Sequence, residues 1–237
     1  MLSLKASQCT IGDEELPMTF QVAMIGSDGL LVGSDRKCIY RSQEPNRPAS
    51  FQFEAGDKFV STIDGSTVCF FAGGPQAKSI ADAIISRSSI HQLPVPHWHA
   101  ELQRTSETIL ANSIGDEVMV VRLSGSCADI ALINKVGMVA TVSTVHEHRC
   151  TGVNVNARFL TQEFWSLRSV ESLQKLAIIT MGYSARERPT EVGFGFNLMI
   201  LKDGVVKWES YAEDDCRIKS ACDDFYQKSS SAVFSIP

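Results

Sequence analysis

Short apolar runs separated by polar, glycine-containing turns dominate the first third of the chain. The runs FQVAMIG and LLVGSD flank Ser27, Asp28 and Gly29, which predicts a β-hairpin with a permissive glycine in its turn. A second hairpin is predicted from KFVSTID and STVCFFAGG, which flank Asp64 and Gly65. The segment QEPNRPAS between them is rich in proline and polar residues and predicts a surface loop.

The spacing of apolar residues changes after the Gly73-Gly74 turn. From Gln76 it suits a helix that QLPVPHW ends, and a second helix is predicted over residues 98–112. Three strands follow in EVMVVRL, ADIALIN and GMVATVS, then two helical patterns in NARFLTQEFWSL and SVESLQKLAIITMGY. A last hairpin is predicted in GFNLMILKDGVVKWESY, before a polar tail.

The predicted order of elements is strands, two helices, strands, two helices, strands. A parallel doubly wound sheet would need strands and helices to alternate singly, so this order disfavours it. Helices grouped in pairs between hairpins favour an α+β fold of four layers. Two antiparallel sheets would stack face to face, with a helix layer outside each.

Composition excludes several classes of function. The chain has 237 residues, 44% of them hydrophobic, which suits one large domain, and its net charge of -5 makes nucleic acid and anionic membranes poor partners. No apolar run approaches the roughly 20 residues of a membrane-spanning helix and no secretory signal is evident, so we expect a cytoplasmic location. The seven scattered cysteines include no Cys-x-x-Cys pair, and we predict no metal or other cofactor.

The stretch MTFQVAMIGSDGLLVGSDRK, residues 18–37, resembles the start of a proteasome β-type subunit or of the bacterial HslV peptidase. In that family a threonine opens the first strand and an Asp-Arg-like pair ends the second. KFVSTIDGSTVCFFAGGPQAKSIADAI resembles the next hairpin and first helix, and SVESLQKLAIITMGYSA and GFNLMILKDGVV resemble the later helix and final hairpin. The likeness is to the group containing HslV, Anbu and the betaproteobacterial proteasome homologues, and it implies the αββα sandwich of N-terminal nucleophile hydrolases.

The resemblance implies a threonine-type endopeptidase with Thr19 as nucleophile. The Thr19 hydroxyl would attack the peptide carbonyl, and its freed α-amino group would act as general base. Lys58 would lower the pKa of that amine, Asp35 would pair with Lys58, and the N–H of Gly73 would face the oxyanion. Thr151 would replace a supporting serine hydroxyl.

Three of these residues also have ordinary structural interpretations. Thr19 could be a strand-edge threonine, Asp35 could simply end a strand, and Lys58 could be a solvated surface charge. Their spacing relative to Ala72-Gly73-Gly74 is what favours a single site.

The family resemblance divides the chain into an N-terminal extension or propeptide over residues 1–18, a hydrolase domain over 19–212 and a tail over 213–237. Thr19 can act only after the extension is removed, either by self-cleavage or by translation from Met18 with loss of the methionine. We favour the second route. If the extension stays, the chain would be an inactive ring scaffold.

Two departures from the family pattern favour that scaffold alternative. Phe20 follows the threonine where the family has a small residue, and SARERPTEVGFGFN lacks the Asp-x-x-Ser-Gly that completes the site. Glu187, Thr190 and Gly193 would be imperfect replacements.

The resemblance also implies a substrate pocket and an assembly. Cys38, Phe71 and Pro75 would line the pocket, where the bulky Phe71 would favour small apolar side chains over long basic ones. We expect polypeptide substrates, a homo-oligomeric stacked double ring of six or seven subunits per ring, and an ATP-dependent unfoldase partner, because the chain has no P-loop of its own.

A His/Cys metal-dependent hydrolase is the competing enzymatic interpretation. His146, His148 and Cys150 alternate in HEHRC and would share one face of a strand. HQLPVPHWH adds three histidines, yet neither segment has a His-Glu-x-x-His or paired-cysteine spacing.

Overall fold

The computed structural model describes residues 19–42, 50–109, 114–125, 127–151, 155–166, 168–190, 192–193 and 195–234. The strands in these ranges are β1 Gln21–Ile25, β2 Gly29–Asp35, β3 Lys37–Ser42, β4 Ser50–Ala55, β5 Phe59–Ser61, β6 Thr67–Ala72, β7 Ile114–Ser124, β8 Cys127–Val136, β9 Val139–Thr144, β10 His148–Thr151, β11 Phe196–Lys202 and β12 Val205–Tyr211. The helices are α1 Pro75–Ser86, α2 Val95–Glu107, α3 Val155–Phe164, α4 Val170–Glu187 and α5 Cys216–Phe234, with a 3₁₀ helix at Ser88–Gln92. The predicted extension, residues 1–18, lies outside the described residues.

Two five-stranded antiparallel sheets form the centre of the molecule. The first has the strand order β10-β1-β2-β11-β12 and the second has the order β5-β6-β7-β8-β9. Both predicted N-terminal hairpins form, one as β1 with β2 and the other as β5 with β6. The first hairpin therefore contributes to one sheet and the second hairpin to the other.

Successive side chains of β1 face opposite sides of the first sheet, which shows why the two sheets stack. Val22 and Met24 face a core on the helix side, whereas Ala23 faces the core between the two sheets. Strand residues of period two thus bury both faces of the sheet. The cluster between the sheets joins the first sheet to the second through residues that include Val32, Phe70, Met119, Leu132 and Met199.

A helix layer covers the outer face of each sheet. Helices α1 and α2 contribute Ile80, Ile84, Trp98 and Leu102 to a core with the second sheet. The other outer core contains α4 and α5 residues together with the helix-facing side chains of the first sheet. The predicted α+β fold of four layers, αββα, is confirmed.

The C-terminal segment is part of this core. Ile218 and Cys222 of α5 are buried against α4. The helices approach so closely that a Cβ on Gly182 would lie 2.2 Å from the Cys222 sulfur. Residues 216–234 therefore form an integral helix of the first sheet's outer layer.

The structure also differs from the sequence-based elements around the predicted loop and at the start of the second helix. Strands β3 and β4 pair as a separate ribbon beside the predicted loop, of which residues 43–49 lie outside the described residues. Helix α2 begins at Val95, so the proline-rich segment starts this helix. Proline is tolerated in a first helical turn because the N–H groups there have no intrahelical partner.

No helix in the described ranges has the length and apolar character needed to cross a membrane.

Candidate active site

Thr19, Asp35 and Lys58 meet at one end of the sandwich. The Lys58 ammonium donates a hydrogen bond to Thr19 Oγ1 at 2.9 Å and lies 3.0 Å from each carboxylate oxygen of Asp35. All three side chains are buried, with exposed fractions of 4% for Thr19, 5% for Lys58 and 0% for Asp35. The structure therefore brings the three residues together, and their catalytic roles stay predictions.

Strand ends position this group. Thr19 lies two residues before β1, Asp35 ends β2, and Lys58 directly precedes β5. Phe20 holds the backbone next to Thr19 in place. Its side chain is buried in the core under α4, and its N–H donates to Asp35 Oδ1 at 2.9 Å. The large residue that departs from the family pattern thus anchors the strand at the point where the candidate nucleophile is presented.

Asp35 is held by several donors. Its Oδ2 accepts the N–H of Lys37 at 3.1 Å and lies 3.5 Å from the N–H of Gly193. Complete burial raises the pKa of the Asp35 carboxyl above its usual range, because the charged form loses its hydration. The positive charge of Lys58 and the Phe20 N–H lower the pKa, but burial outweighs them.

A second ion pair flanks the buried one. Arg36 Nε lies 3.4 Å from Asp57 Oδ1, and each of these residues is next in the chain to a member of the buried pair. Asn197 of β11 donates to Asp57 Oδ1 at 2.8 Å and accepts from Ser210 at 2.7 Å. Sequence reasoning missed this network, although the adjacent acid and base in each of Asp35-Arg36 and Asp57-Lys58 are a signal for paired charges.

Gly73 and Gly74 connect β6 to α1, two residues after Phe71, whose N–H donates to the Lys58 carbonyl at 3.0 Å. Gly73 has a φ of 120°, a left-handed value that favours glycine, and a Cβ there would lie 2.3 Å from Asp116 Oδ1. The same oxygen accepts the N–H of Gly74 at 2.9 Å. Both glycines are exposed, so a substrate backbone can approach them. No sequence signal points to Asp116, which is 42 positions from Gly74.

The supporting residues are only partly assembled. Thr151 ends β10 and is paired with Gln21, two positions after Thr19, but the predicted role of its hydroxyl falls outside the described side chains. Glu187 is exposed and accepts a hydrogen bond from Tyr226 of α5 at 3.1 Å. The Glu187 carboxylate is therefore engaged by the docked helix α5. Thr190 is also exposed.

The three predicted pocket residues lie on different elements. Cys38 is half-buried on β3, where it approaches Gly56 closely enough that a Cβ there would lie 2.9 Å from its sulfur. Phe71 is partly buried against the core under α1 and α2, and Pro75 is exposed at the start of α1. Phe71 and Pro75 thus flank the glycine turn, and the pocket itself stays a prediction.

The HEHRC segment does not gather metal ligands. Cys150 points into the core on the helix side of β10, and burial raises the pKa of its thiol to about 12. His148 packs against the ring of Trp165 at 5.1 Å between centroids. In the part of the chain that the structure describes, no group of three or more His, Cys, Asp or Glu side chains could hold a metal ion.

Comparison by sequence and comparison by structure give different outcomes. No family model matches the chain, and no curated protein matches it in sequence. Solved structures do match over most of its length. The Gly-1 mutant of Anbu from Hyphomicrobium sp. strain MC1 has a TM-score of 0.73 and 14% identity, covering 92% of this chain and 98% of that one.

Two further Anbu structures give the same picture at 14% identity, each covering 92% of this chain and 97% of its own. They are the ancestral beta-subunit Anbu from Yersinia bercovieri, with a TM-score of 0.69, and a helical assembly of the Anbu complex from Pseudomonas aeruginosa, with a TM-score of 0.68. Identities this low establish the fold and no more. The chain therefore shares the four-layer fold of the Anbu proteins.

Proposed function

We propose that this chain is a threonine-type endopeptidase subunit of a proteasome-like homo-oligomer, with Thr19 as N-terminal nucleophile after removal of residues 1–18. The observation that carries the proposal is the position of the Lys58 ammonium, 2.9 Å from Thr19 Oγ1 and 3.0 Å from the Asp35 carboxylate. Burying an ion pair has a large desolvation cost. A strand-edge threonine without a chemical role does not need a buried ion pair beneath its hydroxyl.

The first chemical step forms the bond between Thr19 Oγ1 and the scissile carbonyl carbon. The hydroxyl proton moves to the α-amino group of Thr19, directly or through a water molecule. An ordinary α-amino group has a pKa of about 7.7 to 8.0, and the nearby positive charge of Lys58 lowers it, so that the free base is present at neutral pH. The same ammonium stabilises the negative charge that develops on Oγ1.

The second step breaks the peptide C–N bond. The bond from Oγ1 has already moved the carbonyl π electrons to oxygen in the first step, and the N–H of Gly73 is the proposed donor to this oxyanion. Collapse of the intermediate re-forms the carbonyl and expels the amine. The proton held by the Thr19 amino group goes to the leaving nitrogen. An ester on Oγ1 remains, and attack of water on it releases the acid product and restores the hydroxyl.

An inactive scaffold is the second candidate. Glu187 and Thr190, the replacements for the family's supporting residues, are both exposed, and Glu187 is bonded to Tyr226. A chain that keeps residues 1–18 would have no free amine at Thr19 and so no general base.

The proposed assembly is a stacked double ring that admits unfolded polypeptides, with an ATP-dependent unfoldase as partner. The Pseudomonas aeruginosa Anbu structure is a helical assembly. Head-to-tail contacts between identical subunits produce a closed ring when the rotation closes and a helix when it does not. Electron microscopy of the purified protein distinguishes a closed ring from a helix. A persistent monomer in light scattering would contradict both kinds of assembly.

Mass spectrometry tests the peptidase proposal. The natively expressed protein should contain a mature chain that begins at Thr19, and this species should form a covalent adduct with an epoxyketone or boronate peptide. Thr19→Ala should abolish the adduct without changing oligomer size, because one hydroxyl contributes little to stability. An N-terminus at Met1, no adduct and an unchanged oligomer would favour the scaffold.

A further inference from the structure

The glycine turn beside the candidate nucleophile is attached to a buried carboxylate from another strand. Asp116 lies near the start of β7 and has an exposed fraction of 2%. The register pairs Ala72 with Glu117, which places Asp116 directly beside Gly73. Its Oδ1 accepts the N–H of Gly74 at 2.9 Å. The hydrogen bond therefore joins the end of β6 to the neighbouring strand through a side chain, where the strand ladder has already stopped.

No residue of helix α1 itself caps its N-terminus with a side chain. Its N-cap is Gly74, which has no side chain to cap the helix, and its first turn begins with Pro75 and contains no acidic residue. The N-terminus of a helix carries unpaired N–H groups and a partial positive charge that favours an anion. Asp116 supplies that anion from outside the helix.

The carboxylate also restricts the conformation of Gly73. A Cβ at Gly73 would meet Asp116 Oδ1 at 2.3 Å and its Cα at 3.1 Å, so the turn and the strand are in close contact. The φ of 120° at Gly73 then orients the following peptide toward Asp116. The backbone of this turn is determined by both the glycine and the acid.

Stability alone does not account for this acid. The second oxygen, Oδ2, is buried and accepts no hydrogen bond from the described residues. A buried carboxylate oxygen without a donor costs free energy. An apolar side chain of similar shape would avoid that cost, but it would not accept the N–H of Gly74.

We propose that Asp116 is a positioning residue for the candidate peptidase reaction, which holds Ala72-Gly73-Gly74 so that the Gly73 N–H is available to the oxyanion. This inference rests on the proposed function. A displacement of about 1 Å in a reacting group can lower a rate on the order of a hundredfold. Asp116 touches the turn and acts on the reaction only through it.

Two substitutions distinguish loss of the hydrogen bond to Gly74 from loss of the negative charge of Asp116. Asp116→Leu removes the acceptor and keeps the branched skeleton of four heavy atoms, whereas Asp116→Asn keeps an oxygen that can accept the N–H of Gly74. Asp82→Asn is the matched control, because Asp82 lies on α1 and pairs with exposed Lys78 at 2.7 Å, away from the turn.

Hydrogen exchange measured by mass spectrometry reports the turn without requiring activity. In the assembled protein, Asp116→Leu should speed exchange at the Gly74 amide by about tenfold or more, because its hydrogen bond is lost. Asp116→Asn and Asp82→Asn should exchange as the parent does. Unchanged exchange in Asp116→Leu would overturn the inference whether or not the protein is a peptidase.

The rate of adduct formation at Thr19 supplies the functional readout. Asp116→Leu should lower the maximal rate by about a hundredfold while the half-saturating epoxyketone concentration changes little, and Asp116→Asn should restore most of the rate. Faster exchange together with an unchanged rate would show that the contact does not position the reacting group. A parent protein that forms no adduct would contradict the proposed function, and exchange would then decide alone whether Asp116 holds the turn.

Discussion

The Lys58 ammonium donates a hydrogen bond to Thr19 Oγ1 at 2.9 Å, although the two residues are 39 positions apart. Lys58 also pairs with Asp35, so one cation serves a hydroxyl and a carboxylate in a buried site. Lys58→Met removes the charge while retaining most of the side-chain volume. We expect it to lower the rate of adduct formation at least about a hundredfold, the order of effect seen when an electrostatic stabiliser is removed.

The same substitution should also affect stability. It leaves the Asp35 carboxylate buried without its cation, which costs about 3 to 5 kcal/mol. Asp35→Asn combined with Lys58→Met should recover part of the free energy of unfolding and none of the activity. Urea unfolding measures the first and adduct formation the second. Lys78→Met, which breaks an exposed ion pair on α1, is the control and should change stability by no more than about 1 kcal/mol.

The protonation state of Asp35 should set an acidic limit for the site. Its pKa is raised by burial, so protonation begins above the ordinary carboxyl value of about 3.9 as pH falls. The ionised form that pairs with Lys58 is therefore present above the raised pKa and lost below it. Because the α-amine also titrates, the check is a carbon NMR titration of the Asp35 carboxyl. Titration at or below the ordinary value would contradict this prediction.

Phe71 should restrict the first substrate pocket. We expect the parent protein to cleave peptides after small apolar residues faster than after arginine, and Phe71→Ala to shift kcat/KM toward larger side chains by about tenfold or more. Phe225→Ala controls for loss of an aromatic ring, because Phe225 lies on α5 in the outer helix layer of the first sheet and packs edge-on against Tyr226 at 6.3 Å between ring centroids. A parent preference for arginine would argue against a pocket shortened by Phe71.

Helix α5 should contribute directly to the stability of the domain. Ile218 is fully buried against α4, so Ile218→Ala should lower the free energy of unfolding by about 2 to 5 kcal/mol. Ile63 is fully exposed in the turn between β5 and β6, and Ile63→Ala should change the free energy of unfolding by no more than about 0.5 kcal/mol. Urea unfolding measures both. Equal effects would mean that α5 is not part of the cooperative unit.

The sequence by itself was sufficient for the local elements that carry the candidate nucleophile. The apolar runs on either side of Ser27, Asp28 and Gly29 predict the first hairpin, and the two outer ends of a hairpin lie side by side. The proximity of Thr19 to Asp35 was therefore readable from the chain. The order of hairpins and paired helices also predicted the two stacked sheets, because each element must bury its apolar face.

Only the tertiary structure determined which distant residues complete the site. Asp116 meets Gly74 across 42 positions, and Asn197 meets Asp57 across 140, through the stacking and registers of separate strands. The outward position of Glu187 likewise follows from Tyr226 on a helix that the sequence pattern left as a tail. Periodicity and turn chemistry act within short windows of sequence. Contacts between layers depend on how all the elements pack at once, and so they were decided by the fold as a whole.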